Sequence, residues 1–535
     1  LVPDSFDEIV ALVALFRPGP LESGMVQTYI DCKHGREPVR YPHPALEHIL
    51  KPTYGVILYQ EQVMQIAQEL AGYTLGAADI LRRAMGKKKP AEMAKQRIIF
   101  VEGAMERGVD EDIANLIFDQ METFAGYGFN KSHSAAYALI AYQTAWLKSH
   151  YQAEFMAAVL SSDMDTTDKV DEFIHECRDL GLTILPPDIN RSHHAFTSVD
   201  DSTILYGLGA LKGVGHAAID VIELEREANG PFAGLSDFCN RIDHHKVNKR
   251  AMDVLVRSGA LDKLDPDSNR ARMINELPEA VHAAEQYQRD QESGQVDMFG
   301  SFSQSDAPHI TEHRDVRPWT KLQCLQAERD TLGLYLTGHP VELQADDIAR
   351  FTTCTLGNLE KRMPPESRGK RSGTPMVLAG LVQAVRRRGN RGGFVAMEDH
   401  TGRIEAALFD DTWTLYSELL VKDEIIVVEG RVATDDFSGG FRMNAQKIMT
   451  LAEAKSRFAR GVQISLRGPS EEICSALQST FVPYQDGSAV VWLNYSNARA
   501  RARLELGKEW NVKACEELVA ALGELEMVSD ARLVY

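Results

Sequence analysis

The sequence predicts a multidomain α+β protein: a large helical domain, then paired helical hairpins, then a small β-barrel, then a small C-terminal α/β domain. Three observations predict it. A chain of 535 residues that is 44% hydrophobic can bury several cores. The first two hundred residues carry helical apolar spacing punctuated by Gly and Pro. From Thr374 to Leu451 the pattern changes to strict alternation, the period of half-buried strands.

Residues 1–205 read as the helical domain. Its most informative strings are L-R-R-A-M-G-K-K-K-P at Leu81 and F-N-K-S-H-S-A-A-Y at Phe129, in a chain of net charge -19. From Arg82 to Arg97 seven cations (Arg82, Arg83, Lys87, Lys88, Lys89, Lys95 and Arg97) face the one carboxylate of Glu92. A cationic field of that density in an acidic chain steers phosphate. Apolar spacing at Tyr137, Ile140, Ala141, Thr144 and Leu147 predicts a helix beginning near Ala135, with Ser132 or Ser134 as N-cap. Asn130, Lys131, Ser132, His133 and Ser134 then lie at a helix N-terminus, where free amides and the macrodipole favour phosphate oxygens. Gly126 and Gly128 let backbone approach closely there. The competing reading is a solvated basic face and an ordinary cap.

Residues 206–290 hold two hairpin signals. L-K-G-V-G-H-A-A-I at Leu211 has the form of a helix-hairpin-helix, in which Gly213 and Gly215 let amides face a DNA phosphate beside Lys212. A companion at Asn248 to Leu264, with Lys249 and Arg250, reads as helix, Ser-Gly turn, helix. A plain glycine turn between core helices is the alternative. The stretch from Ala283 to Pro308 is polar, Gln/Ser-rich and read as flexible, with residues 291–310 as its core. Gln295, Met298 and Phe299 within it have the composition of a docking peptide: an amide and two apolar anchors. Residues 311–373 form a connecting helical region.

Residues 374–452 carry five strand signals in a length that suits an OB-fold barrel, with a D-H-T-G turn at Asp399. Arg386, Arg387, Arg388 and Arg391 in its basic hairpin are the candidates for single-strand backbone contact. Phe394, Phe409, Phe437 and Phe441 read as alternating core residues rather than stacking platforms. Residues 460–535 alternate V-Q-I-S-L and A-V-V-W-L-N-Y strands with two helical runs, a small α/β domain suited to protein contact.

Seven cysteines without a C-x-x-C pair indicate neither a zinc cluster nor a disulfide framework, and a reducing cytoplasm fits them. His193-His194 and His244-His245 lack partners at metal-ligand spacing, so no metal site is expected. No apolar run reaches ~20 residues, so no membrane segment is expected. The chain opens on L-V-P-D without Met, which suggests a fragment.

Taken with A-L-F-R-P-G-P at Ala14, Y-G-V-I-L-Y-Q-E-Q-V-M at Tyr54, G-L-Y-L-T-G-H-P at Gly333 and D-D-F-S-G-G at Asp435, these strings closely resemble the C-terminal half of the bacterial replicative DNA polymerase III alpha subunits, C-family polymerases. The resemblance covers essentially the whole chain. It implies that residues 1–205 are the fingers, with the basic motifs near the incoming dNTP and the primed DNA template. It implies further that the hairpins hold duplex DNA, that Q-V-D-M-F binds the beta sliding clamp, that the OB-fold handles single-stranded template, and that the last domain meets the tau subunit of the clamp loader.

Polymerase chemistry needs aspartates that hold two metal ions. The resemblance places these, and the Mg2+ they bind, in a palm upstream of Leu1, and it places the proofreading partner on the region before that. L-P-P-D-I-N at Leu185 offers only Asp188, because Asn190 stands where a second carboxylate would be needed. No catalytic residue is therefore expected in this chain, and the chain alone is expected to be inactive. An error-prone paralogue, or a non-enzymatic DNA-binding scaffold of helix-hairpin-helix and OB units, are the alternative readings.

Overall fold

The computed structural model describes residues 1–87, 90–125, 128–292, 315–363, 373–389, 392–434, 440–467, 473–485, 487–496 and 501–535. Two compact units form, one from Leu1–Met156 with Asp200–Ser202, the other from Ala157–Val199 with Thr203–Tyr535. No helix among the described residues is long and apolar enough to cross a membrane.

The first unit is helical. Its main core joins Ile66 and Leu70 of the helix Gln60–Ala71 to Leu81, Phe100 and Phe118 of the three helices that follow. Gln62 begins that first helix by turning its side-chain oxygen back to accept from the Leu58 and Tyr59 amides, at 2.8 and 2.9 Å. Gly72, at φ +69°, ends it with a turn that an L side chain would strain. A second core packs Val10, Ala14, Tyr29 and Leu58 around Ala138.

The helix predicted after Phe129 spans Lys131–His150 and starts four residues earlier than its apolar spacing suggested. Its N-cap is Asn130, not Ser132 or Ser134, because the Asn130 side chain accepts from the His133 amide at 2.8 Å. Of its residues only Ser134 and Ala138 are buried, so the stripe of Tyr137, Ile140 and Leu147 that announced the helix is exposed.

The second unit begins with a small sheet of β1 (Thr183–Leu185), β2 (Thr197–Asp200) and β3 (Thr203–Leu205), ordered β1-β3-β2. The helices His216–Asn229, Leu235–Arg241, Lys249–Arg257 and Arg270–Glu292 follow. The last of them corrects the sequence reading: helix continues to Glu292, through the start of the stretch read as flexible, and Ala284 within it is fully buried. The Ser-Gly turn after Arg257 leads into a 3-10 turn at Asp262–Leu264, not a second full helix.

The barrel is closed, in the order β4-β5-β6-β8-β7, from β4 (Thr374–Arg387), β5 (Gly392–Asp399), β6 (Gly402–Phe409), β7 (Ile425–Thr434) and β8 (Phe441–Thr450). Val382, Val395, Met397, Ala406, Val428 and Met443 fill it. Phe441 packs against that core as expected, but Phe409 is 61% exposed and Phe394 falls on the opposite face of β5 from Val395 and Met397. The period-two pleat puts neighbours on opposite faces, and the register assigns the inside to Val395. Phe437 lies outside the described residues. Asp399 makes the D-H-T-G turn by accepting from the Thr401 and Gly402 amides at 2.7 and 2.9 Å.

A four-stranded sheet closes the chain, β11-β10-β9-β12, built from β9 (Gly461–Arg467), β10 (Val490–Ser496), β11 (Arg501–Glu505) and β12 (Val528–Val534). The last two strands were not read from the sequence. Lys455, 2% exposed, is held by Asp347 at 3.1 Å and Glu516 at 2.5 Å, which pins the helix after the barrel to the start of the final helix. A buried ammonium is tolerated because carboxylates surround it.

Glu8 holds the second core of the first unit. It is 3% exposed and accepts from Lys33 at 2.5 Å, from Tyr54 at 2.7 Å and from the Asp4 amide at 2.9 Å. Burial pushes its carboxyl up, and these donors outweigh burial, leaving it lowered from 4.5 to about 2. A depressed carboxyl contributes stability above its unfolded value and loses it as pH falls through the folded one. Glu8→Gln is therefore expected to cost ~3 kcal/mol at neutral pH by stranding the buried Lys33 ammonium. In thermal melts the gap between variant and parent should close between pH 4.5 and about 2.

Candidate nucleic-acid interface

In the first unit the basic cluster is less free than its count suggests. Arg82 donates to Asp79 Oδ1 through Nε at 2.9 Å and Nη2 at 2.7 Å, and Arg83 pairs with the other oxygen of Asp79 at 2.8 Å. Those hydrogen bonds from Arg82, outweighing burial, hold the Asp79 carboxyl below its ordinary value. Arg97 is taken by Asp119 at 2.5 Å and Glu122 at 2.9 Å. The Lys87 side chain, Lys88 and Lys89 lie outside the described residues.

At the other motif the helix N-terminus is already occupied. The Lys131 amide donates to both Glu61 oxygens, at 3.0 and 2.9 Å, and Asn130 Nδ2 donates to Oε1 of the same carboxylate at 3.0 Å. An internal anion thus sits where phosphate was expected to meet backbone. What remains for a ligand is side chain: Ser132 and His133 exposed, and Lys131, whose ammonium lies 5.5 Å from the centre of the Tyr59 ring. Ser134 is buried. One cation here was missed in the sequence: Arg17 of A-L-F-R-P-G-P lies 4.3 Å from the Phe129 ring centre, next to the helix start. No local spacing could have found it, because the contact spans more than a hundred residues.

In the second unit the structure brings together the two hairpin segments. Gly213 has φ +102°, and a Cβ there would sit 3.7 Å from Val254 Cγ2 and 4.0 Å from Arg250 Nε. The glycine turn therefore lies against the helix Lys249–Arg257, close to Arg250, and Lys212, Lys249 and Arg250 are each exposed. The Lys212 amide donates to the Thr331 carbonyl at 2.9 Å, and its side chain runs alongside Gly333, where a Cβ would lie 2.5 Å from its Nζ. Gly215 is the N-cap of His216–Asn229 and is exposed. Among the described residues none of the three cations has a carboxylate partner. Asp188, by contrast, is 5% exposed and bound to Lys263 at 2.7 Å, a fold contact.

On the barrel, Arg386, Arg387 and Arg388 are exposed at the end of β4, and Arg391 lies outside the described residues. Arg386 pairs across the strands with Phe394, and the Arg442 guanidinium lies 5.5 Å from the centre of that ring. Phe394 was read as core; its outward ring beside two arginines is instead a surface on which a base can stack.

Gln295, Met298 and Phe299 lie outside the described residues. Among the described residues no group of three or more His, Cys, Asp or Glu is placed to hold a metal ion. The His194 and His216 ring centres lie 4.1 Å apart with their planes tilted by 36°, and His244 contacts the Cys239 carbonyl at 2.8 Å. The described residues supply no carboxylate set that fits a two-metal centre.

Comparison with known proteins gives matches along the chain. Residues 1–108 match the family described as bacterial DNA polymerase III alpha subunit finger domain, 181–273 a helix-hairpin-helix motif, 376–451 an OB-fold nucleic acid binding domain, and 476–525 the DNA polymerase III subunit alpha C-terminal domain. The DNA polymerase III subunit alpha of Vibrio cholerae is 49% identical over 98% of this chain and 45% of its own length. That of Escherichia coli K12 is 49% identical over 97% of the chain and 45% of its length, and that of Pseudomonas aeruginosa 47% over 98% and 46%. The chain thus spans a little under half the length of these relatives. Among solved structures, asparaginyl-tRNA synthetase from Pyrococcus horikoshii aligns with 17% of the chain and 22% of its own at 25% identity and TM-score 0.15, too slight a likeness to bear on the fold.

The outward Phe394 gives a direct test. Phe394→Ala is expected to weaken binding of a single-stranded oligonucleotide by ~1–3 kcal/mol while leaving duplex affinity unchanged, read by fluorescence anisotropy.

Proposed function

Because the chain belongs to the bacterial DNA polymerase III alpha-subunit family, we propose that it is the nucleotide- and DNA-handling part of a replicative polymerase that carries out template-directed DNA synthesis. The observation that carries this reading is that the likeness to alpha subunits runs through nearly the whole chain and not through one module. Arg82, Arg83, Lys87, Lys88, Lys89, Lys131, Ser132 and His133 serve the phosphates of incoming dNTP, while Asn130, tied to Glu61 and the His133 amide, and the buried Ser134 shape the helix start. Lys212, Gly213, Gly215, Lys249 and Arg250 hold duplex backbone by contacts that carry no sequence information. Arg386, Arg387, Arg388 and Arg391, with Phe394, guide the single-stranded template.

The partners follow from the same reading. Gln295, Met298 and Phe299 dock the beta sliding clamp, the terminal domain meets tau of the clamp loader, and the proofreading subunit binds polymerase residues other than these. Mg2+ and its carboxylates belong to that other part as well, and the protein works in the cytoplasm.

Two experiments test the proposal. In the full-length polymerase, the double substitution Met298→Ala and Phe299→Ala is expected to reduce clamp-stimulated synthesis at least about tenfold while distributive synthesis persists, since apolar anchors dominate such contacts. Unchanged stimulation would remove the clamp assignment. The 535-residue chain on its own should bind primed DNA and extend no primer with Mg2+; extension would put the chemistry inside it.

A further inference from the structure

The two phosphate motifs of the first unit are far apart in sequence, yet one side chain touches both. Gln60 is the first residue of the helix Gln60–Ala71 and is half-buried. Its Oε1 accepts from Arg82 Nη1 at 3.1 Å, and its Nε2 donates to the Gly128 carbonyl at 3.2 Å. Its backbone amide donates to the Phe129 carbonyl at 3.0 Å, and the Phe129 amide donates to Leu58 at 3.3 Å. The next residue, Glu61, holds Asn130 and the Lys131 amide.

The consequence depends on what Glu61 has taken. With a carboxylate on the Lys131 amide, a triphosphate at this end of the helix must be met by side chains and not by backbone. Side chains keep their aim only if their supports are fixed. Asp79 alone leaves Arg82 one anchor on its own helix, three residues away. Gln60 supplies the second, and it comes from the segment that also sets the position of Gly128 and Phe129.

We propose that Gln60 is a positioning residue that holds Arg82 and the start of the Lys131–His150 helix in one register, so that both face the same phosphate chain. The inference rests on the nucleotide role proposed above for Arg82. An amide suits the task because it both accepts and donates, which neither a carboxylate nor an ammonium does. Gln60 does not touch the nucleotide itself.

The test is a double-substitution cycle in the full-length polymerase on a primed template, with KM for dNTP, kcat, KM for DNA and the melting temperature all measured. Gln60→Ala is expected to raise KM for dNTP about tenfold, as loss of a hydrogen bond to a charged group does, with KM for DNA and melting temperature little changed. Gln60→Glu keeps an acceptor for Arg82 and loses the donor to Gly128, so its KM should fall between those of the parent and Gln60→Ala. Gln60→Ala added to Arg82→Ala should raise KM for dNTP by clearly less than the product of the two single effects, because part of what Gln60 does passes through Arg82. An unchanged dNTP KM in Gln60→Ala, or effects that multiply in the double variant, would overturn the proposal. If Arg82→Ala also leaves dNTP KM unchanged, the nucleotide reading beneath it falls too.

Discussion

Carboxylates hold many of the described cations, as a chain with 77 acidic against 58 basic residues allows. Burial makes that pairing obligatory for some. Lys33 on Glu8 and Lys455 between Asp347 and Glu516 would otherwise be stranded charges in low dielectric. At the surface the same pairing is weak in energy but decides what is left over for a ligand. Arg97 on Asp119 and Glu122, and Arg257 on Asp253 at 2.7 Å, are occupied. Among the described residues, Lys212, Lys249, Arg250 and Arg386 to Arg388 are exposed and have no carboxylate partner, and in an acidic protein such residues are where a polyanion can attach.

Glycine and strand register determine where these free cations gather. The positive φ of Gly213 lets its turn lie against the Lys249–Arg257 helix, so two hairpin segments some forty residues apart in sequence meet, each with exposed cations. On the barrel, Arg386 lies opposite Phe394 across β4 and β5, which sets a flat ring beside guanidinium groups. Charge holds a phosphate backbone and a ring holds a base, so the two surfaces suit duplex and single strand respectively. Both lie in the second unit and share its fold.

Much of this was legible in the sequence because it is periodic or punctuated. The five barrel strands and the helices flanking β9 and β10 match their alternation and spacing. The misses have physical reasons. Asn130 and Ser132 are about equally good caps, so composition could not rank them, whereas the fold decides by aiming Asn130 at the His133 amide. Phe394 and Phe409 looked like core because alternation gives a period and not a phase; the inward phase of β5 is set by pairing with neighbours. The helix through Glu292 buries Met273 and Leu277 early, but beyond Ala283 Ala284 is its one fully buried described residue, so the stretch reads as polar and close to disorder. The partners of Arg97 and of the Lys131 amide are remote in sequence, so the neutralised cluster and the plugged helix end could only be seen once folded.

The most direct test of the claim that DNA is held by the cations the fold leaves unpaired is the salt dependence of primed-DNA affinity for the whole chain. Each neutralised phosphate contributes about 0.9 to the slope of log affinity against log salt. Replacing Lys212, Lys249 and Arg250 with Ala should reduce that slope by about three, whereas Arg257→Ala, which removes a paired cation from the same helix, should leave it unchanged. An unaltered slope in the triple variant, or an equal loss per residue for Arg257→Ala, would contradict the account.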